Sequence, residues 1–357
     1  MEKLNNKKAL LDRIHLSEGV DFEYNEKEIL KEYQKQNENT SSLSIKILSI
    51  LGGFFAALAF LGFLIIIRLN DEHIIIALGI GFIISAILLS KVYNKLSIDT
   101  FSVSFYIIGV SLFFAGFSGL HIANNTTVPL LILIALIALL ITQNYILSFI
   151  SVLVISGSSL GLIISNDRSD LIHLYITITT IVLTYFFLNE AKIISSSKKL
   201  CKLYNPIRIG LVISLLFGLI SIGENSIMSI AQNRIWISSI VMIFLNLYLV
   251  YLIMKRIEIE ALKDKILIYA LTSLVLIPLL FAPFILGVIV LILISFLVNY
   301  KTGLVIGILS IVYFISRYYY DLDFTLLTKS ILLFVSGIIF LLLYILTNKK
   351  LNTHEKI

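Results

Sequence analysis

The chain has 357 residues, 58% of them hydrophobic and only 14% charged, with a mean hydropathy of +0.98. Soluble domains carry about a quarter charged residues, so a set of two or three water-soluble domains is excluded and the bilayer becomes the main solvent. The net charge of +6 does not point to nucleic acid, because the basic residues gather at the edges of apolar runs rather than in one patch.

Residues 1–44 form a polar segment. Leu10, Leu11, Ile14 and Leu16, then Ile29, Leu30 and Tyr33, recur at roughly helical spacing on either side of Gly19. The expectation is a short cytoplasmic helical tail, either an amphipathic collar lying on the bundle or the headgroups or a small helical pair that docks a partner. With this long polar lead no cleavable signal peptide is expected, and the first apolar run is expected to be a retained anchor. The single cysteine, Cys201, permits no intrachain disulfide.

Residues 45–347 alternate apolar runs with short polar links. A helix needs about 20 apolar residues to cross the hydrocarbon core. The predicted spans are Ile45–Ile67, Ile74–Ser90, Phe101–Leu120, Val128–Ile141, Ile146–Ile164, Leu171–Leu188, Ile207–Ile222, Ile235–Met254, Ile266–Phe281, Phe284–Val298, Leu304–Ser316 and Ser330–Leu346. The fold class is therefore all-α, a polytopic transmembrane bundle of about twelve helices. The runs starting at Val128, Phe284 and Leu304 are short enough for re-entrant segments, although their minimal links favour tight hairpins. Residues 348–357 form a second polar tail.

Lys and Arg fall in every second link. Of the 28 basic residues only Arg68, Arg168, Arg234, Arg317 and Lys329 lie on the sparse side. The basic side is cytoplasmic by the positive-inside rule, which places both termini in the cytoplasm. A weak internal echo pairs residues 45–190 with 206–347: Asn144-Tyr145 and Asn299-Tyr300 each mark a tight turn before a helix bearing Ser and Gly.

Four groups are candidate functional residues. Ser156-Gly157-Ser158-Ser159-Leu160-Gly161 places small residues and hydroxyls in the fifth span, suited to close helix packing or to lining a polar path. Asn246 stands near the middle of the eighth span, where an amide needs a partner across the bundle. His73, His121 and His173 fall at external helix ends, where interfacial histidines are the expectation and a metal site the minor alternative. Arg317, Tyr318, Tyr319, Tyr320, Asp321, Asp323 and Lys329 make a candidate external rim across the last outer loop, with tyrosines suited to the interface.

That same stretch, Arg317-Tyr318-Tyr319-Tyr320-x-Leu322-x-x-Thr325-Leu326-Leu327-x-Lys329-Ser330, resembles the C-terminal signature of a bacterial polytopic membrane-protein family known as a domain of unknown function. The resemblance implies a bacterial inner-membrane location and association with neighbouring membrane proteins that carry a Gly-Asp-Tyr-x-x-Leu-x-Tyr motif. It implies no catalytic or binding residue.

No Asp, Glu, Lys, Arg or His lies deep in any predicted span, and no Gly-x-x-x-x-Gly-Lys-Ser/Thr loop or His-Glu-x-x-His motif accompanies these groups. No cofactor or metal is expected, and the expected partners are the lipid bilayer and another membrane protein. The leading expectation is a non-enzymatic subunit of a membrane complex. The alternative is a carrier or flippase for a lipid or a small uncharged solute.

Overall fold

A computed structural model describes residues 43–67, 71–92, 96–166, 168, 170–223 and 235–321, with 325, 327–328, 330–331, 334–335, 337–338 and 341. Most of the N-terminal tail and the short C-terminal tail lie outside these residues. Twelve α-helices occur among them: α1 (Leu43–Ile67), α2 (Glu72–Val92), α3 (Leu96–Gly119), α4 (Asn124–Ile141), α5 (Tyr145–Ser165), α6 (Leu171–Leu188), α7 (Glu190–Ser196), α8 (Lys198–Gly223), α9 (Ile235–Arg256), α10 (Leu262–Leu276), α11 (Pro283–Leu297) and α12 (Lys301–Asp321). Ten stretches are long and apolar enough to cross a membrane, and Pro283–Leu297 is a shorter apolar helix. The described residues of the final predicted span, such as Ser330, Ile331 and Phe334, are helical.

Helices are forced here because lipid offers no partner for backbone N–H and C=O groups. The polar links start them. Asp71 accepts from the amides of His73 and Ile74 at 3.0 and 3.2 Å before α2. Asn144 accepts from Ile146 and Leu147 at 2.9 and 3.3 Å before α5, and Ser197 accepts from Leu200 at 3.1 Å before α8. Each satisfies amides that the first turn of a helix leaves open.

Two packed groups meet at one seam. In the first, α3 is central and contacts α1, α2, α4 and α5. Glycines bring α2 and α3 together: a Cβ on Gly109 would lie 2.6 Å from Ile83 Cγ1 and 2.8 Å from the Gly79 carbonyl oxygen. In the second, α8 and α11 pack among α6, α9 and α12. α8 also crosses α5, where a Cβ on Gly210 would lie 2.7 Å from Val152.

The short predicted spans resolve in different ways. α4 and α12 extend to full length, whereas α11 keeps only 15 residues, about 22 Å at 1.5 Å per residue. It falls short of a core about 30 Å thick. Ala282, in the turn before it, is 1% exposed, and the Phe284 ring packs 5.5 Å from Phe314 and 6.2 Å from Tyr318. Ala282, Pro283 and Phe284 of this turn are buried against the bundle, whereas Phe281 just before them is 69% exposed. Pro278 lies in the 3-10 stretch Ile277–Phe281 that leads into it, and Pro283 opens α11, where its missing N–H costs no helical bond.

Candidate functional site

The small-residue run of α5 divides among three directions. Ser159 back-bonds to the Ile155 carbonyl at 2.8 Å. Ser156 stands beside the Tyr175 side chain of α6. Gly157, Ser158, Gly161 and Ser165 line a cavity of about 380 Å³ with Val110, Ser111 and Phe114 of α3 and Asn124, Val128 and Leu131 of α4. Gly157, Gly161 and Ser165 follow one another at four-residue spacing and so form a single stripe. A Cβ added at Gly157 or Gly161 would meet nothing within 4 Å. Close packing, the expected role of this run, is therefore absent within the described residues at the two glycines, in contrast to Gly79 and Gly109. At the sparse end of the same helix pair, Asn166 donates to Asn125 Oδ1 at 2.7 Å.

Asn246 is fully buried. Its amide nitrogen donates to Met242 O at 2.9 Å and across to Leu286 O of α11 at 3.2 Å, supplying the expected partner across the bundle. Its Oδ1 has no hydrogen-bond partner among the described residues.

His173 departs from expectation. It is 2% exposed, with Nδ1 2.9 Å from the Ser238 hydroxyl of α9 and Nε2 unpartnered, as is Thr177 Oγ1 one turn further along α6. An interfacial histidine was expected here, but α9 packs over it. His73 and His121 are exposed. Among the described residues no three His, Cys, Asp or Glu side chains gather as a metal site.

A cluster at the basic end was not anticipated. The Arg208 side chain is 12% exposed and pairs with Glu190 at 3.4 Å. Its guanidinium carbon lies 3.9 Å from the Tyr300 ring centroid, 5.0 Å from Tyr204 and 5.8 Å from Phe187, and it donates to Asn205 at 2.7 Å. Burial raises the Tyr300 hydroxyl above its ordinary pKa, while the neighbouring cation pulls it back. A desolvated cation over aromatic faces is worth about 2 kcal/mol, so this cluster ties α6, α7, α8 and the α11–α12 turn together. The two Asn-Tyr turns are built differently: Asn144 is an N-cap at φ −80°, and Asn299 has a left-handed φ of 57°.

The rim is only partly a loop. Arg317, Tyr318, Tyr319, Tyr320 and Asp321 form the last turn of α12, because interfacial tyrosines continue a helix as readily as aliphatic residues do. Consecutive residues on a helix diverge, and they do so here: Tyr318 packs on Phe284, whereas Tyr320 is 72% exposed. Asp323 and Lys329 lie outside the described residues. Beyond them, Thr325 Oγ1 accepts from the Thr328 amide at 3.3 Å, a capping contact.

A helical bundle with this many apolar crossings is a multi-pass integral membrane protein. A family described as a domain of unknown function (DUF4401) matches residues 42–350, and the chain belongs to that family. No curated protein and no solved structure matches it.

Proposed function

We propose that the protein is a non-enzymatic subunit of a complex in the bacterial cytoplasmic membrane, and that a transmembrane helix of another membrane protein docks along α5. One observation carries this reading. The stripe Gly157, Gly161 and Ser165 faces a cavity of about 380 Å³, and no described residue lies within 4 Å of a Cβ at either glycine. Glycine costs helix stability and is repaid in membranes by close backbone approach. Gly79 and Gly109 receive that return inside the chain, whereas among the described residues Gly157 and Gly161 have no neighbour to supply it. Ser111, Ser158 and Asn124 add hydroxyl and amide groups for bonds to a polar face on the incoming helix.

Gentle extraction from native membranes, followed by mass spectrometry of all co-purifying proteins, tests the reading. A stoichiometric membrane partner is the expected result. A protein that purifies alone, at normal abundance in cells lacking its neighbours, refutes it.

A second reading, a carrier for a lipid or small uncharged solute, draws on the buried polar atoms of α6 and α9. His173 Nε2, Thr177 Oγ1 and Asn246 Oδ1 all lack a partner among the described residues, and unpartnered polar atoms inside a bilayer are costly unless water or a substrate visits them. Cysteines at Thr177 and Asn246 that react with small aqueous reagents support it; complete protection rejects it.

A further inference from the structure

We propose that the cavity at the basic end, between the last turns of α6, α9 and α11, holds the headgroup of a zwitterionic aminophospholipid, with the phosphate on Arg256 and the amine on Glu190. The cavity measures about 530 Å³ and has Glu190 and Arg256 in one lining. A second cavity, of about 370 Å³, shares Arg256 and Leu297 with it, so Arg256 stands in the wall between the two. Arg256 donates to the Leu297 carbonyl at the end of α11. That bond uses one of five donors and orients the guanidinium. Arg256 stays exposed, so donors remain for a phosphate, which guanidinium recognises through paired bonds.

The opposite wall suits an amine. Glu190 pairs with Arg208 only at 3.4 and 3.5 Å, long for charge-assisted bonds, which run about 2.7–2.9 Å. Its side chain is 34% exposed and keeps acceptor capacity. The C-terminal ends of α6, α9 and α11 meet at this level and add negative dipole ends. An anionic headgroup without an amine would satisfy Arg256 and oppose Glu190, whereas a zwitterion answers both. A lipid fits better than a soluble phosphate ester because the walls are apolar. Leu252 and Val298 line the first cavity, and Phe296 and Ile257 of the second are 57% and 61% exposed toward the surroundings of the bundle. The depth, at the last turns of spanning helices, is where headgroups lie.

The test is binding to the full-length protein in detergent, read by native mass spectrometry, with phosphatidylethanolamine and phosphatidylglycerol of identical acyl chains. The wild type is expected to retain the ethanolamine lipid at least about fivefold better, and Glu190→Gln to abolish that preference. Glutamine keeps an oxygen for Arg208, so the bundle should survive; a melting temperature matching the wild type without added lipid checks this. Arg256→Gln, on another helix, is the independent arm and should weaken both lipids about tenfold, the scale of one charge-assisted hydrogen bond. Glycerophosphoethanolamine, the headgroup without chains, should fail to displace the lipid. Equal retention of the two lipids by the wild type, a preference that survives Glu190→Gln, or displacement by the free headgroup each overturns the proposal.

Discussion

Gly161→Leu and Gly109→Ala are both additions to a helical glycine, and the structure assigns them opposite consequences. At Gly109 a Cβ would lie 2.6 Å from Ile83 Cγ1, 2.8 Å from Ile83 N and 2.8 Å from the Gly79 carbonyl oxygen. Two of those atoms are backbone, so relief requires α2 and α3 to separate. Overpacking of that kind costs about 1–3 kcal/mol. At Gly161 a Cβ meets no described residue within 4 Å and the position lines a cavity of about 380 Å³, and replacing glycine with a better helix former gains up to about 1 kcal/mol. The isolated Gly161→Leu protein should therefore unfold no earlier than the wild type in a denaturant titration in detergent, while Gly109→Ala unfolds earlier. Binding of the docked partner reverses the order. Leucine on the stripe blocks close backbone approach, and a penalty of about 1–3 kcal/mol lowers partner affinity about five- to 150-fold. Recovery of partner with tagged protein gives that number directly. If Gly161→Leu destabilises the isolated chain as much as Gly109→Ala does, the groove is closed and the reasoning fails. If partner recovery is unchanged, α5 is not the docking face.

Arg208→Lys should destabilise the bundle by about 1–2 kcal/mol in the same titration, because lysine keeps the charge but loses the planar fork and its stacking on Tyr300; a stability equal to wild type would show that the aromatic cluster contributes nothing. Asn246→Leu should shift stability by less than about 1 kcal/mol, since it removes one unpartnered oxygen along with two hydrogen bonds. Under the carrier reading the same variant abolishes transport, so an intact fold with lost uptake separates the two readings. The exposed Cys201, in the basic segment at the start of α8, should react with a membrane-impermeant maleimide only when the cytoplasmic face is open; labelling of intact cells would invert the orientation.

The spans were readable because charge is excluded from hydrocarbon, which leaves the polar links as punctuation. What escaped depends on contacts remote in sequence. His173 is the third residue of α6 and reads as interfacial until Ser238, 65 residues on, is brought against it. Arg208 lies at the edge of an apolar run and reads as one more basic residue at the membrane surface. Its partners Phe187, Tyr204 and Tyr300 come from three separate places, and only Tyr204, four residues earlier on the same helix face, was a local signal. Arg317 marked the end of a span by its charge, yet α12 continues through Asp321 because long polar side chains reach the interface from a helix end. The glycine stripe on α5 was visible in the sequence, but only the neighbours of each glycine distinguish a filled groove from an open one.

The docking face is tested most directly by a photo-reactive residue at Ser158, activated in native membranes and followed by mass spectrometry of the adducts. The account predicts a cross-link to a transmembrane segment of a different protein, lost when Gly161→Leu is added. Adducts only to lipid, or only to the chain's own last helix near Gly337, would contradict it.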